Sequence, residues 1–335
     1  MKRSAPQLSV VLVTRDGLDS LALPIPGLLQ QTIAADIELL LVAPVGAVTG
    51  ATLERLAGLH SVRVLEVGKV LNRGREAAVA VAEARAPFVA LHENHTRADS
   101  QTFERMIAAH AARTAATGPM MCAANPENPW GLAMYALCYG HCAPPAHSRP
   151  RTMLPNHNSV YRTEVLRRFG SSLPDRLMRE NALHGELVDE GYDLRIAPDT
   201  RIWHVNESRP GRVLGDSFYL GRAYGCARSA EWSLRRKCLY AAAWPAVAAL
   251  TATRFIRALH HTFGASGELP PAVLPAFLAA SAHAAGEIRG YFTQEVPIDE
   301  EIELHEFHIA GRLGGRSPAA PWLAQAVQQL PKHLP

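Results

Sequence analysis

Residues 86–99 have the sequence Ala-Pro-Phe-Val-Ala-Leu-His-Glu-Asn-His-Thr-Arg-Ala-Asp, in which a short apolar run ends in Glu93, Asn94 and His95. An apolar run bounded by a polar cluster is typical of a buried strand whose last residues emerge at the edge of a sheet. In open α/β sheets, ligands bind in the crevice beyond the carboxyl ends of the strands. The Glu93 carboxylate and the His95 imidazole could share a divalent cation there, although a polar loop between a strand and a helix has the same composition.

Predicted strands and helices alternate on both sides of this segment. The stretch 8–14, Leu-Ser-Val-Val-Leu-Val-Thr, is rich in the β-branched residues that are typical of a buried strand. Further strands are predicted at 37–42, 62–67 and 88–91, and helices at 49–59, 75–85 and 100–114. This alternation predicts an α/β fold built on a doubly wound sheet.

The second half of the chain is less regular. Residues 117–157 are rich in Pro, Asn, His and Cys and are predicted to form loops. A helix over 179–190 is followed by Gly191, which suits a helix C-cap, and two short strands are predicted around Pro198. The chain is mostly helical from 216 to 261. Three parts are therefore expected, a first domain, a helical extension and a tail, over 1–215, 216–295 and 296–335.

Composition and charge argue against several classes of protein. The 335 residues are 48% hydrophobic, which is enough for a sizeable core. The 34 basic and 31 acidic side chains give a net charge of +3, which is too balanced to predict nucleic-acid binding. Five cysteines without a disulfide pattern indicate a reducing compartment, and neither a signal peptide nor a long apolar run is evident. We therefore expect a cytoplasmic protein.

The order of these segments resembles that of the inverting family-2 glycosyltransferases of the GT-A fold, over roughly residues 8–235. Residues 9–14 resemble the family's opening strand, whose end lies against the nucleotide, and residues 89–96 occupy the place of its Asp-x-Asp strand. Arg179-Glu180-Asn181-Ala182-Leu183 is similar to the Glu-Asp helix that presents the catalytic base. Residues 198–204 are similar to the segment that ends in a metal-ligand histidine. The order and spacing of the four segments carry the resemblance.

Three of the family's positions are changed in this chain. Ala43-Pro44 stands where family members usually have an Asp that helps to hold the nucleoside, Glu93-x-His95 replaces Asp-x-Asp, and Arg179 replaces the Glu before the base. The resemblance implies a GT-A-like mixed sheet flanked by helices, with residues 1–215 as the nucleotide-sugar and acceptor domain. It also implies a hexosyltransferase-like enzyme that moves a sugar from a nucleotide-diphosphate sugar to an acceptor hydroxyl with inversion.

A divalent cation is the cofactor that the resemblance implies. Charge develops on the departing diphosphate, so a metal ion or cationic side chains must stabilise it. Glu93, His95 and His204 are the candidate ligands. A carboxylate oxygen suits Mg²⁺ or Mn²⁺, and imidazole favours Mn²⁺ over Mg²⁺. The alternative for His204 is a structural histidine in the loop after a strand.

The resemblance places Glu180 at the position of the general base, which takes the proton of the acceptor hydroxyl. The dipole of the helix stabilises the ionised form of a carboxylate near a helix N-terminus. Arg179 would lower the pKa of Glu180 further if the two paired. The alternative is an ordinary first-turn Glu that stabilises its own helix.

Further polar residues are candidates for binding the two substrates. Arginine binds phosphate oxygens in a bidentate manner, while amides and imidazoles suit sugar hydroxyls. Exposed basic helix faces and polar loops are the alternatives. The donor-side candidates are Thr14, Asn94, Arg75 with Arg73 beside it, Arg222 and Arg228, and the acceptor-side candidates are Asn156, His157 and Asn158.

One stretch of the helical extension raises the question of a membrane. Arg235-Arg236-Lys237 precedes an uncharged stretch over 238–253 that contains Tyr240 and Trp244, and Arg254 follows it. Basic residues that flank an apolar stretch with aromatic residues suit a helix at a membrane surface. The stretch is too short to span a bilayer, and a buried helix or an Ala-rich dimer interface are alternatives. The resemblance leaves a saccharide, a lipid-linked molecule or a small molecule as the acceptor. If the stretch lies on a membrane, we expect the protein at the inner face of that membrane.

Two other functions fit the changed motifs. The absence of an Asp at Ala43 and the altered Asp-x-Asp motif would suit a GT-A-like binding or scaffold protein that no longer transfers sugar. A sugar-phosphate nucleotidyltransferase on a similar sheet would release pyrophosphate, but no glycine-rich phosphate loop is present near the N-terminus.

Overall fold

The computed structural model describes residues 5–15, 18–48, 50–70, 73–144, 150–263 and 271–293, together with Leu323 and Gln325. The strands within these ranges are β1 (Leu8–Val13), β2 (Ile37–Pro44), β3 (Ser61–Val67), β4 (Phe88–His92), β5 (Thr96–Ala98), β6 (Thr114–Ala123), β7 (Pro150–Arg151), β8 (Val160–Arg162) and β9 (Asp193–His204). The helices there are α1 (Pro24–Leu29), α2 (Gly50–Glu54), α3 (Arg73–Glu83), α4 (Thr102–Ala108), α5 (Pro129–Tyr139), α6 (Thr163–Arg167), α7 (Leu173–Met178), α8 (Glu180–Asp189), α9 (Pro210–Arg228), α10 (Leu234–Ala242), α11 (Trp244–Phe263) and α12 (Val273–Tyr291).

All the strands belong to one mixed sheet. Their order is β3-β2-β1-β4-β8-β6-β9-β5, and β7 pairs with β9. The first four strands are parallel, while β8 runs antiparallel to both β4 and β6. The order reverses between β1 and β4, which is the topological switch point of a doubly wound sheet. The predicted α/β fold with a doubly wound mixed sheet is therefore confirmed.

The central strands form because their side chains are apolar on both faces. All six residues of β1 are buried, as are the first seven of β2. Strands that helices cover on both sides have such continuous apolar runs. Glu38 is the exception in β2, and its buried carboxylate accepts a hydrogen bond from Ser9 and pairs with Arg63 at 3.3 Å. A buried charge with partners on both sides is compatible with the sheet interior.

The prediction of loops over 117–157 is wrong in two places. Strand β6 is buried along its whole length, although Gly118 and Pro119 interrupt it and its register with β9 shifts between Gly118 and Met120. Proline has no N–H for the ladder, so such a shift is expected there. Helix α5 begins after Asn128, whose side chain accepts hydrogen bonds from the N–H groups of Trp130 and Gly131. This Asn-Pro start was the local sign of a helix in the sequence.

Strand β9 is one continuous strand where two pieces were predicted. Asp199, directly after Pro198, has a φ of +55°, and the strand continues through this kink to His204. The helix before it, α8, ends as predicted, since Gly191 has a φ of +85°. The continuity of β9 brings His204 alongside β5, because Thr96 is its partner in the antiparallel register.

The chain from 216 to 261 was correctly predicted to be mostly helical. It contains most of α9, which begins earlier at Pro210, together with α10 and nearly all of α11, and α12 follows. Glycines allow α9 and α12 to touch backbone to backbone, since a Cβ at Gly225 would clash with the Glu287 carbonyl and one at Gly286 with that of Phe218. Within the described residues, no single helix is long and apolar enough to cross a bilayer, although α10 with α11 as far as His260 would pass by length and composition despite a bend of 64°. The predicted tail over 296–335 lies outside the described residues, except for Leu323 and Gln325.

Candidate active site

The candidate site lies where β1 and β4 end side by side. Leu12 is the register partner of His92, so Thr14 and Glu93 follow at the same edge of the sheet. Thr14 is buried, and its hydroxyl lies 2.6 Å from that of Ser20. The carboxyl edge at a switch point is the usual ligand crevice of such a sheet.

Glu93, His95 and His204 come together at this edge. Glu93 follows β4, and the pairing of Thr96 with His204 brings His95 beside β9, where the Val205 N–H donates to the His95 carbonyl at 3.1 Å. The Nε2 atoms of the two histidines lie 2.9 Å apart. Glu93 Oε2 lies 3.6 Å from the Nε2 of His95 and 3.5 Å from that of His204. All three side chains are buried.

Two asparagines determine which ring nitrogens of His95 and His204 face each other and Glu93. Nδ1 of His95 lies 2.9 Å from Oδ1 of Asn94, and Nδ1 of His204 lies 2.9 Å from Oδ1 of Asn206. An amide oxygen only accepts, so each Nδ1 carries the hydrogen and each neutral ring has its lone pair on Nε2. Asn125 in turn holds Asn206 by accepting from its N–H at 2.9 Å and donating to its carbonyl at 2.8 Å.

This set of ligand atoms fits a divalent cation. Two lone pairs that face each other at 2.9 Å repel, so a proton on one ring or a shared cation must lie between them. Two ligand atoms that are each about 2.1 Å from one ion lie about 3.0 to 3.5 Å apart. The observed separations of 2.9, 3.5 and 3.6 Å between the atoms of Glu93, His95 and His204 lie within about 0.1 Å of that range. An outer-shell hydrogen bond from each ligand histidine is the usual support of a metal site.

Glu93 is further held by two donors. Arg73 lies 2.6 Å from its Oε1, and the Asn158 side-chain amide donates to its Oε2 at 2.6 Å. The turn after β4 is closed by Thr96, whose hydroxyl donates to the Glu93 carbonyl at 2.9 Å. The carboxylate is therefore fixed in position, with Oε2 facing the two imidazoles.

Glu180, at the start of α8, is a buried carboxylate with several donors. The His157 N–H donates to both of its oxygens, at 3.1 and 2.9 Å, and His157 Nδ1 lies 2.8 Å from Oε1. The Tyr161 hydroxyl donates to Oε2 at 3.1 Å. Burial acts to raise the pKa of Glu180, but the charge and hydrogen bonds of His157 do most to outweigh it, and the pKa is below its usual value. From the sequence, Arg179 would lower the pKa of Glu180 further if the two paired, whereas the donors found here are His157 and Tyr161.

Tyr161 and His184 extend the hydrogen-bonded chain behind Glu180. The Tyr161 oxygen lies 2.8 Å from Nε2 of His184, and the Leu154 N–H donates to Nδ1 of His184 at 3.4 Å. The ring hydrogen of His184 is therefore on Nε2, where it donates to Tyr161. Burial lowers the pKa of His184 to about 4 and raises that of Tyr161, so both are neutral at pH 7.

The three acceptor-side candidates form the segment that joins the two carboxylates. His157 contacts Glu180, and Asn158 contacts Glu93 and donates to the Asn156 carbonyl at 3.3 Å. Oδ1 of Asn156 is buried without a hydrogen-bond partner among the described residues. The segment of Asn156, His157 and Asn158 thus lies between Glu180 and the cluster of Glu93, His95 and His204.

The other donor-side candidates are spread more widely. Asn94 is buried beside His95, and Arg75 lies on α3, two residues after Arg73. The backbone of Arg222 packs against Gly286 and Gly290 of α12. The Arg228 guanidinium pairs with Glu287 at 3.2 Å and lies over three aromatic rings, those of Tyr224, Trp232 and Tyr240. The structure brings neither Arg222 nor Arg228 into contact with Glu93 or Glu180. Their predicted role in binding the donor phosphates stays a prediction.

Several residues that contact the candidate site were not predicted from the sequence. Asn125 and Tyr139, whose ring centre lies 4.6 Å from that of His204, are in the stretch that was predicted to form loops. Asn206 follows His204 by two residues and resembled any other loop asparagine. His184 could have been found from the sequence, because it follows Glu180 by four residues and therefore lies on the same face of α8. Tyr161 had no such signal.

No family model matches this chain, and no curated protein matches it. Similar solved structures include GalNAc-T7 with UDP, GalNAc and Mn²⁺, at 13% identity and a TM-score of 0.46, over 59% of this chain and 43% of that one. The mannosyltransferase PcManGT from Pyrobaculum calidifontis with GDP-Man and Mn²⁺ is similar at 13% identity and a TM-score of 0.46, over 97% of this chain and 84% of that one. TarS 1–349 from S. aureus with UDP is similar at 15% identity and a TM-score of 0.44, over 88% of this chain and 93% of that one. This chain spans less than half the length of GalNAc-T7, and at such scores none of these likenesses bears on the activity.

Proposed function

We propose that this protein is an inverting, metal-assisted glycosyltransferase that moves a sugar from a nucleoside-diphosphate sugar to an acceptor hydroxyl. The observation that carries the proposal is the convergence of Glu93, His95 and His204 at the switch point of the sheet, joined by one short segment to the buried Glu180. These are the positions at which the family-2 resemblance expects the metal and the base. A nucleotide diphosphate and a hydroxyl are the substrates that such a pair of centres would serve.

The cation would be held by one carboxylate oxygen and two imidazole nitrogens. This set favours Mn²⁺ over Mg²⁺, because Mg²⁺ prefers oxygen ligands while imidazole suits the transition metals. When bound, the ion would neutralise charge on the departing diphosphate. Asn94 and Asn206 would orient His95 and His204 toward it.

The remaining candidates divide between donor and acceptor. Thr14 and Asn94 at the sheet edge would contact the donor, and Arg75, with Arg222 and Arg228 of α9, would supply positive charge toward its phosphates. Asn156, His157 and Asn158 would face the acceptor. In this division residues 1–215 bind both substrates, and 216–295 form the helical extension.

A screen of nucleotides with metal tests this proposal. Thermal unfolding is followed with UDP, GDP, ADP, CDP and dTDP, each with and without Mn²⁺, and the sugar nucleotides of those that bind are then assayed for transfer and for hydrolysis. Stabilisation that needs both nucleotide and Mn²⁺, followed by release of the nucleoside diphosphate and a product of inverted configuration, is expected. Binding without turnover would instead indicate a binding protein, and release of pyrophosphate from a nucleoside triphosphate would indicate a nucleotidyltransferase.

We further propose that the protein binds its acceptor at the cytoplasmic face of a membrane. Residues 233–263, which include α10 and α11, contain five Lys or Arg residues and no Asp or Glu. Helix α10 has no buried residue, and Leu239 and Trp244 are 66% and 46% exposed at the corner between the helices. Exposed apolar side chains among basic ones suit the surface of an anionic bilayer. This supports a lipid-linked acceptor over a small soluble one.

A further inference from the structure

The environment of Glu180 is unfavourable for direct contact with an acceptor. Its side chain is wholly buried, at 0% exposure, and both of its oxygens are already hydrogen-bonded. Oxygen Oε1 accepts from the N–H and Nδ1 of His157, and Oε2 accepts from the same N–H and from Tyr161. A general base must reach the hydroxyl hydrogen at hydrogen-bond distance or through one water. An acceptor hydroxyl would have to displace one of these donors from the interior.

The His157 side chain is more accessible than that of Glu180. Its side chain is 12% exposed, and Nδ1 lies 2.8 Å from Glu180 Oε1. An ionised carboxylate only accepts, so Nδ1 carries the hydrogen and Nε2, on the other side of the ring, has the lone pair. The geometry of a buried carboxylate that orients an imidazole is that of an Asp-His or Glu-His pair in hydrolases.

The backbone at His157 has a left-handed conformation. His157 has a φ of +55°, which residues other than glycine adopt uncommonly, although asparagine, aspartate and histidine do so more often than the rest. The cost is balanced by the two hydrogen bonds from its N–H to the carboxylate of Glu180. Strained residues that are held by several contacts are frequent at functional sites. The side-chain amide of the next residue, Asn158, donates to Glu93. His157 is therefore one residue away from a contact of the candidate cation site.

We propose that His157 is the catalytic base of this site and that Glu180 is its positioning residue. This proposal rests on the proposed glycosyl transfer. The acceptor O–H bond breaks and its proton goes to Nε2 of His157, while the acceptor oxygen forms a bond to the anomeric carbon. The bond from that carbon to the diphosphate breaks, and its electron pair leaves with the diphosphate. The imidazolium is then stabilised by the Glu180 carboxylate.

Tyr161 and His184 hold Glu180 in this role. The Tyr161 hydroxyl, which receives a hydrogen bond from His184, donates to the oxygen of Glu180 that faces away from His157 Nδ1. The carboxylate therefore stays ionised and fixed in direction. The lowered pKa of Glu180 agrees with this arrangement, since a weakly basic carboxylate orients a partner better than it removes a proton.

The test compares His157→Asn with Glu180→Gln. His260→Asn, at an exposed position of α11, serves as the control for folding and for nucleotide binding. Asparagine tolerates the positive φ and keeps a side-chain donor, but it has no nitrogen that can take up the proton. We expect His157→Asn to lose about 10²- to 10⁴-fold in transfer rate and to keep Mn²⁺-dependent nucleotide binding. Glu180→Gln should retain more activity than His157→Asn and change the acidic limb of the pH-rate profile.

Rescue gives a second measure that a structural role would not produce. In His157→Gly, which also accepts the positive φ, added imidazole should restore transfer in proportion to its neutral form. Full activity in His157→Asn, or a correctly folded and nucleotide-binding His157→Gly that imidazole does not rescue, would overturn the proposal. Loss of metal-dependent nucleotide binding in the wild type would overturn the proposed function instead.

The protonation state of His157 can be measured without turnover. In the wild type, ¹⁵N spectra of the histidine rings should show the His157 hydrogen on Nδ1 at pH 7.5, and Glu180→Gln should shift this toward a mixture of tautomers. A neutral ring with its hydrogen on Nε2 in the wild type cannot accept the proton there, and this result would exclude His157 as the base.

Discussion

Nε2 of His95 and Nε2 of His204 lie 2.9 Å apart, although 109 residues separate the two histidines in the chain. Each ring is turned toward the other by an asparagine on its far nitrogen, Asn94 for His95 and Asn206 for His204. Two imidazoles held in this way present lone pairs to one point, and Glu93 supplies a carboxylate oxygen there. The arrangement has the donors of a metal site and the outer-shell hydrogen bonds that orient them.

Removal of one imidazole should abolish the response to Mn²⁺. For the wild type, Mn²⁺ at 100 times its Kd should stabilise the fold by about 2.7 kcal/mol. His95→Ala and His204→Ala should lose this stabilisation, since only two of the three ligands remain. Thermal unfolding with and without Mn²⁺ measures the effect.

Asn206→Ala tests the outer shell of the same site. His204 keeps its place in β9 but loses the acceptor that turns its ring, so Mn²⁺ affinity should fall by about 10- to 100-fold. His260→Ala should respond to Mn²⁺ as the wild type does, because that side chain lies on an exposed face of α11. Equal Mn²⁺ stabilisation in all of these variants would contradict the assignment of the metal centre.

Stability should fall as the pH is lowered from about 6.5 to 4. Burial lowers the pKa of His110, His184 and His283 from 6.5 to about 4. Between these values the unfolded chain binds protons that the folded chain does not, so acid favours unfolding, whereas the stability contribution is complete above pH 6.5. Each group accounts for up to roughly 3 kcal/mol. Urea unfolding at several pH values measures the slope.

One variant isolates a single histidine from this slope. His283→Gln cannot be protonated, so it should reduce the pH dependence between 6.5 and 4 by about one proton. His260→Gln, at an exposed position, should leave the slope unchanged. A wild-type free energy of unfolding that does not change over this range would show that these rings are not held neutral by burial.

The contact between α9 and α12 should not tolerate a methyl group. A Cβ at Gly225 or Gly286 would clash with a backbone carbonyl of the facing helix, so Gly225→Ala and Gly286→Ala force the helices apart. We expect each to lower the free energy of unfolding by about 1–3 kcal/mol. Gly215→Ala is the matched control on α9, since nothing lies within 4 Å of its added Cβ. It should be neutral or stabilise by up to about 1 kcal/mol. Equal effects at the three positions in denaturant unfolding would contradict the close approach.

Binding to anionic vesicles should depend on the corner between α10 and α11. Vesicles of phosphatidylcholine with phosphatidylglycerol should sediment the protein, vesicles of phosphatidylcholine alone should not, and salt should weaken the binding. Leu239→Ser combined with Trp244→Ser should reduce binding at least about 10-fold, since each buried apolar side chain contributes about 1.5–3 kcal/mol. Leu274→Ser is the control, at an exposed leucine of α12 that has no basic neighbour in sequence. Failure to bind anionic vesicles would contradict the proposal. A dimer in solution that the double variant converts to a monomer would also contradict it, because this corner would then be a dimer interface.

The strands that position the site were recognisable because their signals are local. The apolar runs of β1 and β4 end in polar residues, and the alternation with helices predicted a doubly wound sheet. The structure adds that the two strands are neighbours and that the switch point lies between them. The resemblance then singled out Glu93, His95, Glu180 and His204, and the structure places the first, second and fourth within contact of one another. Strand β6 and helix α5 were missed, because Gly118, Pro119 and Pro129 are residues that usually mark loops.

The sequence by itself determined the apolar periodicity, the Gly191 cap and the residue types of the site, all of which depend on neighbours within a few positions. Tertiary structure decided which of these residues meet. His95 and His204 face each other because of the register of β5 on β9, and Glu180 is enclosed by contacts with His157, whose φ is positive, and with Tyr161. Register and burial arise from contacts between elements distant in the chain, so no local pattern could have shown that the Glu180 side chain is wholly buried while that of His157 keeps 12% of its surface exposed.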